Sequence, residues 1–182
     1  MDCSRTHATQ CIPTAAGTGS GAVTLSGVIS GTGGITKNSS TFNLTLSGAN
    51  PYTGATTVTG GLINFNSATN FGSGNITLNG GGLQWATGTT TDISSKLAAF
   101  GAGGATFDTN GNNVALASAL TGTGGLTKTG AGTLTLSAAN SYFGGTTVNA
   151  GTLQMSGAGT LGNIGNATTV NGASAILDLG GT

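Results

Sequence analysis

Residues 31–37 read GTGGITK and residues 122–128 read GTGGLTK, the same heptapeptide with one aliphatic exchange, and the agreement does not stop there. The segment SGTGGITKNSSTFNLTLSGANPYTGATTVTGGLINF, Ser30 to Phe65, lies over TGTGGLTKTGAGTLTLSAANSYFGGTTVNAGTLQM, Thr121 to Met155, after one inserted residue near Ser40. Leu44, Leu46, Asn50, Tyr52, Gly54, Thr56, Thr57, Val58 and Gly61 then meet Leu134, Leu136, Asn140, Tyr142, Gly144, Thr146, Thr147, Val148 and Gly151 in order. Phe71 and Gly72 continue the match onto Leu161 and Gly162, so the unit is a superrepeat of about 90 residues. A fixed internal period of short segments restricts the chain to architectures in which each unit buries its apolar face on its neighbours.

The segments inside the period are strand-length. Runs such as FNLTLSG, TTVTGGLINF, NITLNGGGLQW, GTLTLS and TTVNAGTLQM are rich in β-branched residues and Leu, and Gly or Asn bounds them. Partial period-two alternation with turn residues at the ends is a strand signal. The 36 glycines raise the alternative of a flexible linker, but a hydrophobic fraction of 36% arranged in these runs argues for a folded chain. The expected architecture is all-β, a parallel β-helix or β-solenoid. Its inward aliphatics stack while Thr, Ser and Asn face water, and Gly and Asn turn the corners. A propeller built on blades of about 40 residues fits less well, because the strand spacing is irregular and no Trp-Asp signature occurs. Aromatic residues make up only 5%, which suits a narrow core of Leu, Ile and Val better than one of rings. Residues 1–20 fall outside the repeat and read as a poorly ordered tail, with the repeat region covering 21–182. TDISSKLAAFG, Thr91 to Gly101, fits either a short helix capped by Asp92 or an irregular rung.

Composition excludes several function classes. Charged residues are 4% of the chain, four Lys or Arg against four Asp, so no field attracts nucleic acid or anionic lipid. No apolar run reaches the roughly 18 residues of a membrane-spanning helix, and the N-terminus has no signal-peptide apolar region. Cys3 and Cys11 either close a small loop or stay free.

Candidate chemistry is sparse. GTGGLTKTG has glycines and Lys128 like a phosphate loop, but the Gly-Lys-Ser/Thr spacing is absent, and a turn that recurs is better read as structure. His7 stands in the tail, the hydroxyls lack an activating base, and Asp92, Asp108 and Asp178 are too far apart in sequence to suggest a carboxylate pair. DTNGNN, from Asp108, starts like a calcium loop but has Asn113 and Ala119 where Gly and Glu are required. We therefore expect no catalytic residue, metal or cofactor. Threonines in TLTLS and TTV raise ice binding as an alternative. A regular Thr-x-Thr face is broken by Asn43, Asn75 and Asn113 at the place of Thr133.

The second copy resembles the autotransporter-associated β-strand repeat, or passenger-associated transport repeat. Its pattern is a Gly-rich turn with Lys, then G-x-G-T-L-T-L-S, an Asn, a Tyr, Gly-Gly-Thr-Thr-Val and G-T-L. Lys128, Gly130, Gly132, Thr133, Leu134, Leu136, Asn140, Tyr142, Gly144, Gly145, Val148 and Leu153 match it. The first copy departs from it, with NSSTF in place of Gly-x-Gly-Thr and Pro51 after Asn50. The resemblance implies a right-handed β-helix in a bacterial passenger exported through an outer-membrane barrel to the cell surface. Its role would be structural, supporting export, folding, display and adhesion or biofilm formation, with a glycan-binding surface or a β-helix carbohydrate-active enzyme as alternatives. The repeat-motif residues are Gly31, Gly33, Gly34, Lys37, Leu44, Leu46, Asn50, Tyr52, Gly54 and Val58, with Gly122, Gly124, Gly125, Lys128, Leu134, Leu136, Asn140, Tyr142, Gly144 and Val148. The chain stops in mid-pattern at LGGT and reads as a slice of something longer. Expected partners are neighbouring rungs, the barrel during export, and further copies stacked end to end.

Overall fold

The computed structural model describes residues 22–163 and 165–180, which form a stack of short parallel strands. Cys3, Cys11 and His7 lie outside the described residues. The first strands are β1 (Val23–Leu25), β2 (Ile35–Lys37), β3 (Leu44–Leu46), β4 (Thr56–Val58) and β5 (Leu62–Phe65). They are followed by β6 (Ile76–Leu78), β7 (Gly82–Trp85), β8 (Ala105–Asp108), β9 (Val114–Leu116) and β10 (Leu126–Thr129). The last are β11 (Thr133–Leu136), β12 (Thr146–Val148), β13 (Gly151–Met155), β14 (Thr168–Val170) and β15 (Ala175–Asp178). Helical structure among the described residues is limited to two single 3-10 turns, Ala68–Phe71 and Ser94–Lys96.

Each strand pairs in parallel with one roughly a full turn away: Val23 with Leu44, Leu44 with Ile63, Ile63 with Leu83. Parallel pairing between successive turns is the defining geometry of a solenoid, and the eight-stranded sheet β1-β3-β5-β7-β8-β10-β12-β14 sets its height at about eight turns. A three-stranded sheet, β2-β4-β6, and a four-stranded one, β9-β11-β13-β15, supply further faces.

The two superrepeats do not occupy equivalent sheets. β2 and β4 of the first copy lie in the three-stranded sheet, whereas their counterparts β10 and β12 lie in the eight-stranded sheet. β3 lies in the eight-stranded sheet and its counterpart β11 in the four-stranded one. β8 makes the change of face: Phe107 pairs with Leu83 of β7 on one edge and with Lys128 of β10 on the other. The segment leading into β8 is the irregular rung, holding a single 3-10 turn whose N-cap is Ile93 and not Asp92. Leu97 bridges to Ile76, Phe100 bridges to Gly122, and only Ser94–Lys96 are helical. Asp92 does act locally, its Oδ1 accepting from Ser94 N at 2.8 Å and from Ser94 Oγ at 2.7 Å.

Strand alternation sends every second side chain inward. The inward column of the large sheet runs Val23, Leu44, Ile63, Leu83, Phe107, Lys128, Val148 and Val170. Burying one such aliphatic or aromatic side chain contributes about 1.5–3 kcal/mol, and the core from Ile35 to Met155 is continuous. The expectation of a ring-poor core is corrected here. Phe71, Phe65, Trp85, Phe107, Phe100 and Tyr142 form an unbroken string, with successive centroids 5.0, 5.1, 5.7, 6.0 and 6.1 Å apart. Although the rings are few, most of them are buried, where edge-on packing adds to area burial. They concentrate around β5, β7 and β8, where the rung is irregular and the interior must be filled by larger side chains.

Candidate functional site

The residues shared by the two copies assemble three kinds of contact within and between rungs, and each occurs in both copies. The first is built on a lysine. Lys37 and Lys128, each at the end of a recurring glycine-rich turn, are 2% and 0% exposed. Because each ends an inward i, i+2 pair, Ile35 and Lys37 or Leu126 and Lys128, its aliphatic stem packs in the core. The ammonium then reaches the carbonyls of the corner. Lys128 Nζ donates to Thr129 O and Gly130 O, both at 2.7 Å, and to Ala150 O of the following rung at 3.1 Å. Lys37 Nζ donates to Ser39 O and, one rung on, to Gly60 O at 2.9 Å. The first copy lacks the Gly-x-Gly-Thr segment, and its substitute NSSTF places the Phe42 ring 4.4 Å from that ammonium, a cation–π contact. Burial depresses both lysines, Lys128 to about 8 even though the Asp108 charge opposes the shift.

A glycine of the next rung closes each lysine site. Gly61 and Gly151 have φ of +64° and +66°, and a Cβ on them would stand 2.6 Å from Lys37 Nζ and 2.9 Å from Lys128 Nζ. Position and conformation therefore both demand glycine there. The alignment of the two copies already pairs Gly61 with Gly151, but nothing in the sequence links them to the lysines.

The second contact is an asparagine that bridges three rungs. Asn50 Oδ1 accepts from Ile29 N at 2.8 Å, and its Nδ2 donates to Asn70 O at 2.8 Å. Asn140 Oδ1 accepts from Leu120 N at 2.7 Å, and its Nδ2 donates to Thr160 O at 2.7 Å and to Ala138 O at 3.0 Å. An amide side chain with both a donor and an acceptor suits this place, because one rung presents a free N–H and the other a free C=O. Asn70 continues the line, its Nδ2 donating to Gly48 O at 2.9 Å. Asn70 and Thr160 were not singled out from the sequence, and their spacing of one turn beyond Asn50 and Asn140 is the signal that would have found them.

The third contact is a buried tyrosine. Tyr52 and Tyr142 are 1% and 0% exposed, with hydroxyls 2.5 Å from Thr56 Oγ1 and 2.7 Å from Thr146 Oγ1. The first threonine of TTV thus points into the core and not to water, correcting the reading of that motif as surface. Burial raises both tyrosines, opposed in each by the threonine hydrogen bond. Gly72 and Gly162 lie flat on these rings, where a Cβ would come to 2.8 and 2.7 Å.

The remaining repeat-motif residues frame these contacts. Leu44, Leu46, Leu134, Leu136, Val58 and Val148 are buried core residues. Gly31 O and Gly122 O accept from Thr53 N and Phe143 N, each at 2.9 Å, and Gly33 O and Gly124 O accept from Gly54 N and Gly144 N at 3.2 and 3.1 Å. A Cβ on Gly34, Gly54, Gly125 or Gly144 would run into the backbone of the adjoining rung. Main chains touch directly at this corner.

The aspartates are not brought together. Asp108 ends a ladder in the large sheet, its Oδ2 accepting from Gln84 Nε2 at 2.8 Å and its Oδ1 from Asn110 N at 2.9 Å. Asp178 ends the equivalent ladder in the four-stranded sheet, accepting from Gln154 Nε2 at 2.9 Å and Gly180 N at 3.0 Å, and these donors hold its carboxyl below the ordinary range. Asp92 Oδ2 accepts from Ala117 N at 3.0 Å. No group of three His, Cys, Asp or Glu stands together among the described residues. On the outer face Thr106, Thr127, Thr147 and Thr169 do form one unbroken rank. Two residues on, however, the places read Asp108, Thr129, Asn149 and Asn171, so no second threonine rank runs beside it there.

The family model described as the passenger-associated-transport-repeat matches residues 43–64 and 126–155. The chain carries passenger-associated transport repeats. The second repeat match spans the complete set of Lys128, Asn140, Tyr142, Thr146 and Gly151, whereas the first begins at Asn43, past Lys37 and just after the divergent NSSTF. The chain is also 38% identical over 150 residues to the Adhesin BmaC autotransporter of Brucella suis biovar 1 (strain 1330). That alignment takes in 75% of this chain but only 4% of the relative, so the chain spans a small fraction of the length of the curated protein it matches. No solved structure matches.

Proposed function

We propose that this chain is a non-enzymatic stalk segment of an autotransporter passenger, exported through an outer-membrane barrel and displayed at the bacterial surface, where it supports folding of the passenger and adhesion. The observation that carries this reading is that the transport-repeat residues are spent on contacts within and between rungs. The lysine, asparagine and tyrosine each satisfy backbone or hydroxyl groups of the stack among the described residues. The named relative, an adhesin, supports the adhesive part.

Physical economy supports export. A chain with few charges, stabilised by contacts that close only when a rung meets its neighbour, can cross a membrane unfolded and gain its stability by stacking outside. Its partners are then the neighbouring rungs, the barrel during export, and further copies meeting end to end. The near absence of positive charge argues against nucleic acid.

The test is display. The chain would be placed between a signal peptide and an autotransporter barrel, and intact cells probed with antibody and protease. The expected result is surface exposure of a protease-resistant stack, with Lys128→Ala and Asn140→Ala variants lowering both display and resistance. Retention of the native sequence in the periplasm, or display unaffected by both variants, would overturn the proposal.

A further inference from the structure

The sequence contains three Asn-Gly pairs within the described residues, Asn79-Gly80, Asn110-Gly111 and Asn171-Gly172, and all three asparagines are exposed. Exposure therefore does not distinguish them. What does is the amide of the following glycine, the nucleophile in succinimide formation. Gly80 N donates to Gly104 O at 2.8 Å, and Gly111 N donates to Ala131 O at 2.8 Å, each a bond to a neighbouring rung. Their side chains are held as well: Asn79 Oδ1 accepts from Gly103 N at 2.7 Å, and Asn110 Nδ2 donates to Trp85 O at 3.1 Å. Gly172 N makes no hydrogen bond among the described residues, and Asn171 Nδ2 has a single long contact, 3.3 Å, to Asn149 Oδ1.

The free amide at Gly172 belongs to the corner itself. Asn171-Gly172 follows β14 as Asn149-Ala150 follows β12 and Thr59-Gly60 follows β4. Among the described residues, the N–H groups of Ala150 and Gly60 are equally without a hydrogen-bond acceptor, although a further rung is stacked beyond each. Gly80 is the exception because the irregular rung that follows brings Gly104 O to it.

We infer that Asn171 is a site of spontaneous deamidation, a built-in ageing position at the corner between β14 and β15. In the reaction the Gly172 nitrogen attacks Asn171 Cγ, the new C–N bond forms as the Cγ–Nδ2 bond breaks, and ammonia leaves with the glycine amide proton. Water then opens the ring at either carbonyl, giving aspartate or isoaspartate, with no change of oxidation state. Isoaspartate adds one atom to the main chain at the corner leading into β15, and either product sets a carboxylate against the Asn149 amide. At Asn79 and Asn110 the same attack first requires an inter-rung hydrogen bond to open, which slows it in proportion to the population of the open form.

The test uses the full chain held at mildly alkaline pH and 37 °C, with peptide mapping by mass spectrometry for the exchange of NH2 for OH and for isoaspartate. The expected result is deamidation at Asn171 faster than at Asn79 or Asn110 by about tenfold or more in the folded chain, the three rates converging in urea. Isoaspartate at 171 is expected in the native chain and absent from an Asn171→Gln variant. Equal or faster reaction at Asn79 or Asn110 in the folded chain, or a rate at Asn171 that rises on unfolding as steeply as theirs, would overturn the inference.

Discussion

Replacing Lys128 by Met tests the buried-lysine contact directly. Methionine keeps most of the aliphatic stem in the inward column between Phe107 and Val148, so little cavity forms. What disappears is the ammonium that three carbonyls, of Thr129, Gly130 and Ala150, now share. A buried acceptor left without its donor costs about 1–3 kcal/mol, which makes the gross loss at three carbonyls roughly 3–9 kcal/mol. Against this stands relief of the charge burial that moves the amine from 10.5 to about 8, worth about 3 kcal/mol. The net expectation at pH 7 is destabilisation of about 3 kcal/mol. The pH dependence isolates the lysine. Its folded pKa lies below its unfolded value, so between pH 8 and 10.5 the unfolded chain binds more protons and stability rises with pH. Between pH 7 and 9.5 the native chain therefore gains about 2 kcal/mol relative to the variant. Urea titrations followed by fluorescence of the single buried Trp85 measure both numbers. A variant as stable as the native chain at pH 7, with a difference that stays flat up to pH 9.5, would refute the reasoning. Higher pH is avoided because Tyr52 and Tyr142 ionise later in the folded chain than in the unfolded one, which reverses the slope.

Asn140→Ala should lower stability by about 2–4 kcal/mol, since Leu120 N and Thr160 O lose their partner together, and amide hydrogen exchange at Leu120 should rise with it. Gly151→Ala should cost more than Gly157→Ala, by at least about 1 kcal/mol in denaturant titrations. Both glycines have positive φ, but only Gly151 would drive a methyl against Gly132 O, Gly130 O and Lys128 Nζ. Equal losses would show that conformation alone matters. Tyr142→Phe keeps the ring and leaves the Thr146 hydroxyl without its partner, an expected loss of about 1 kcal/mol. The companion Thr146→Val is expected to be less damaging in the Tyr142→Phe background than in the native one, read from a double-mutant cycle.

Much of this protein is determined by local order that a sequence displays. Strand-length runs closed by Gly and Asn, repeated at a fixed period, allow little but a stack of rungs, because short strands of this kind bury their apolar side only against their own copies. The identity of the positions shared by the two copies of the repeat, among them Lys128, Asn140, Tyr142 and Gly151, is legible for the same reason. What each of them does is not, because the partners that tie one rung to another lie about one turn away in the chain: Ala150 for Lys128, Thr160 for Asn140, the next rung for each corner glycine. A lysine after a recurring glycine-rich turn reads as part of a structural turn, and only the stack shows that its place is an inward one and that the corner offers carbonyls to hold the charge. Only the tertiary structure decided that β8 joins strands of different type into one sheet, with the rings gathered around the irregular rung and equivalent strands of the two copies on different faces. Strand pairing depends on which backbones meet, and a repeat period of about 90 residues is compatible with more than one way of bringing them together.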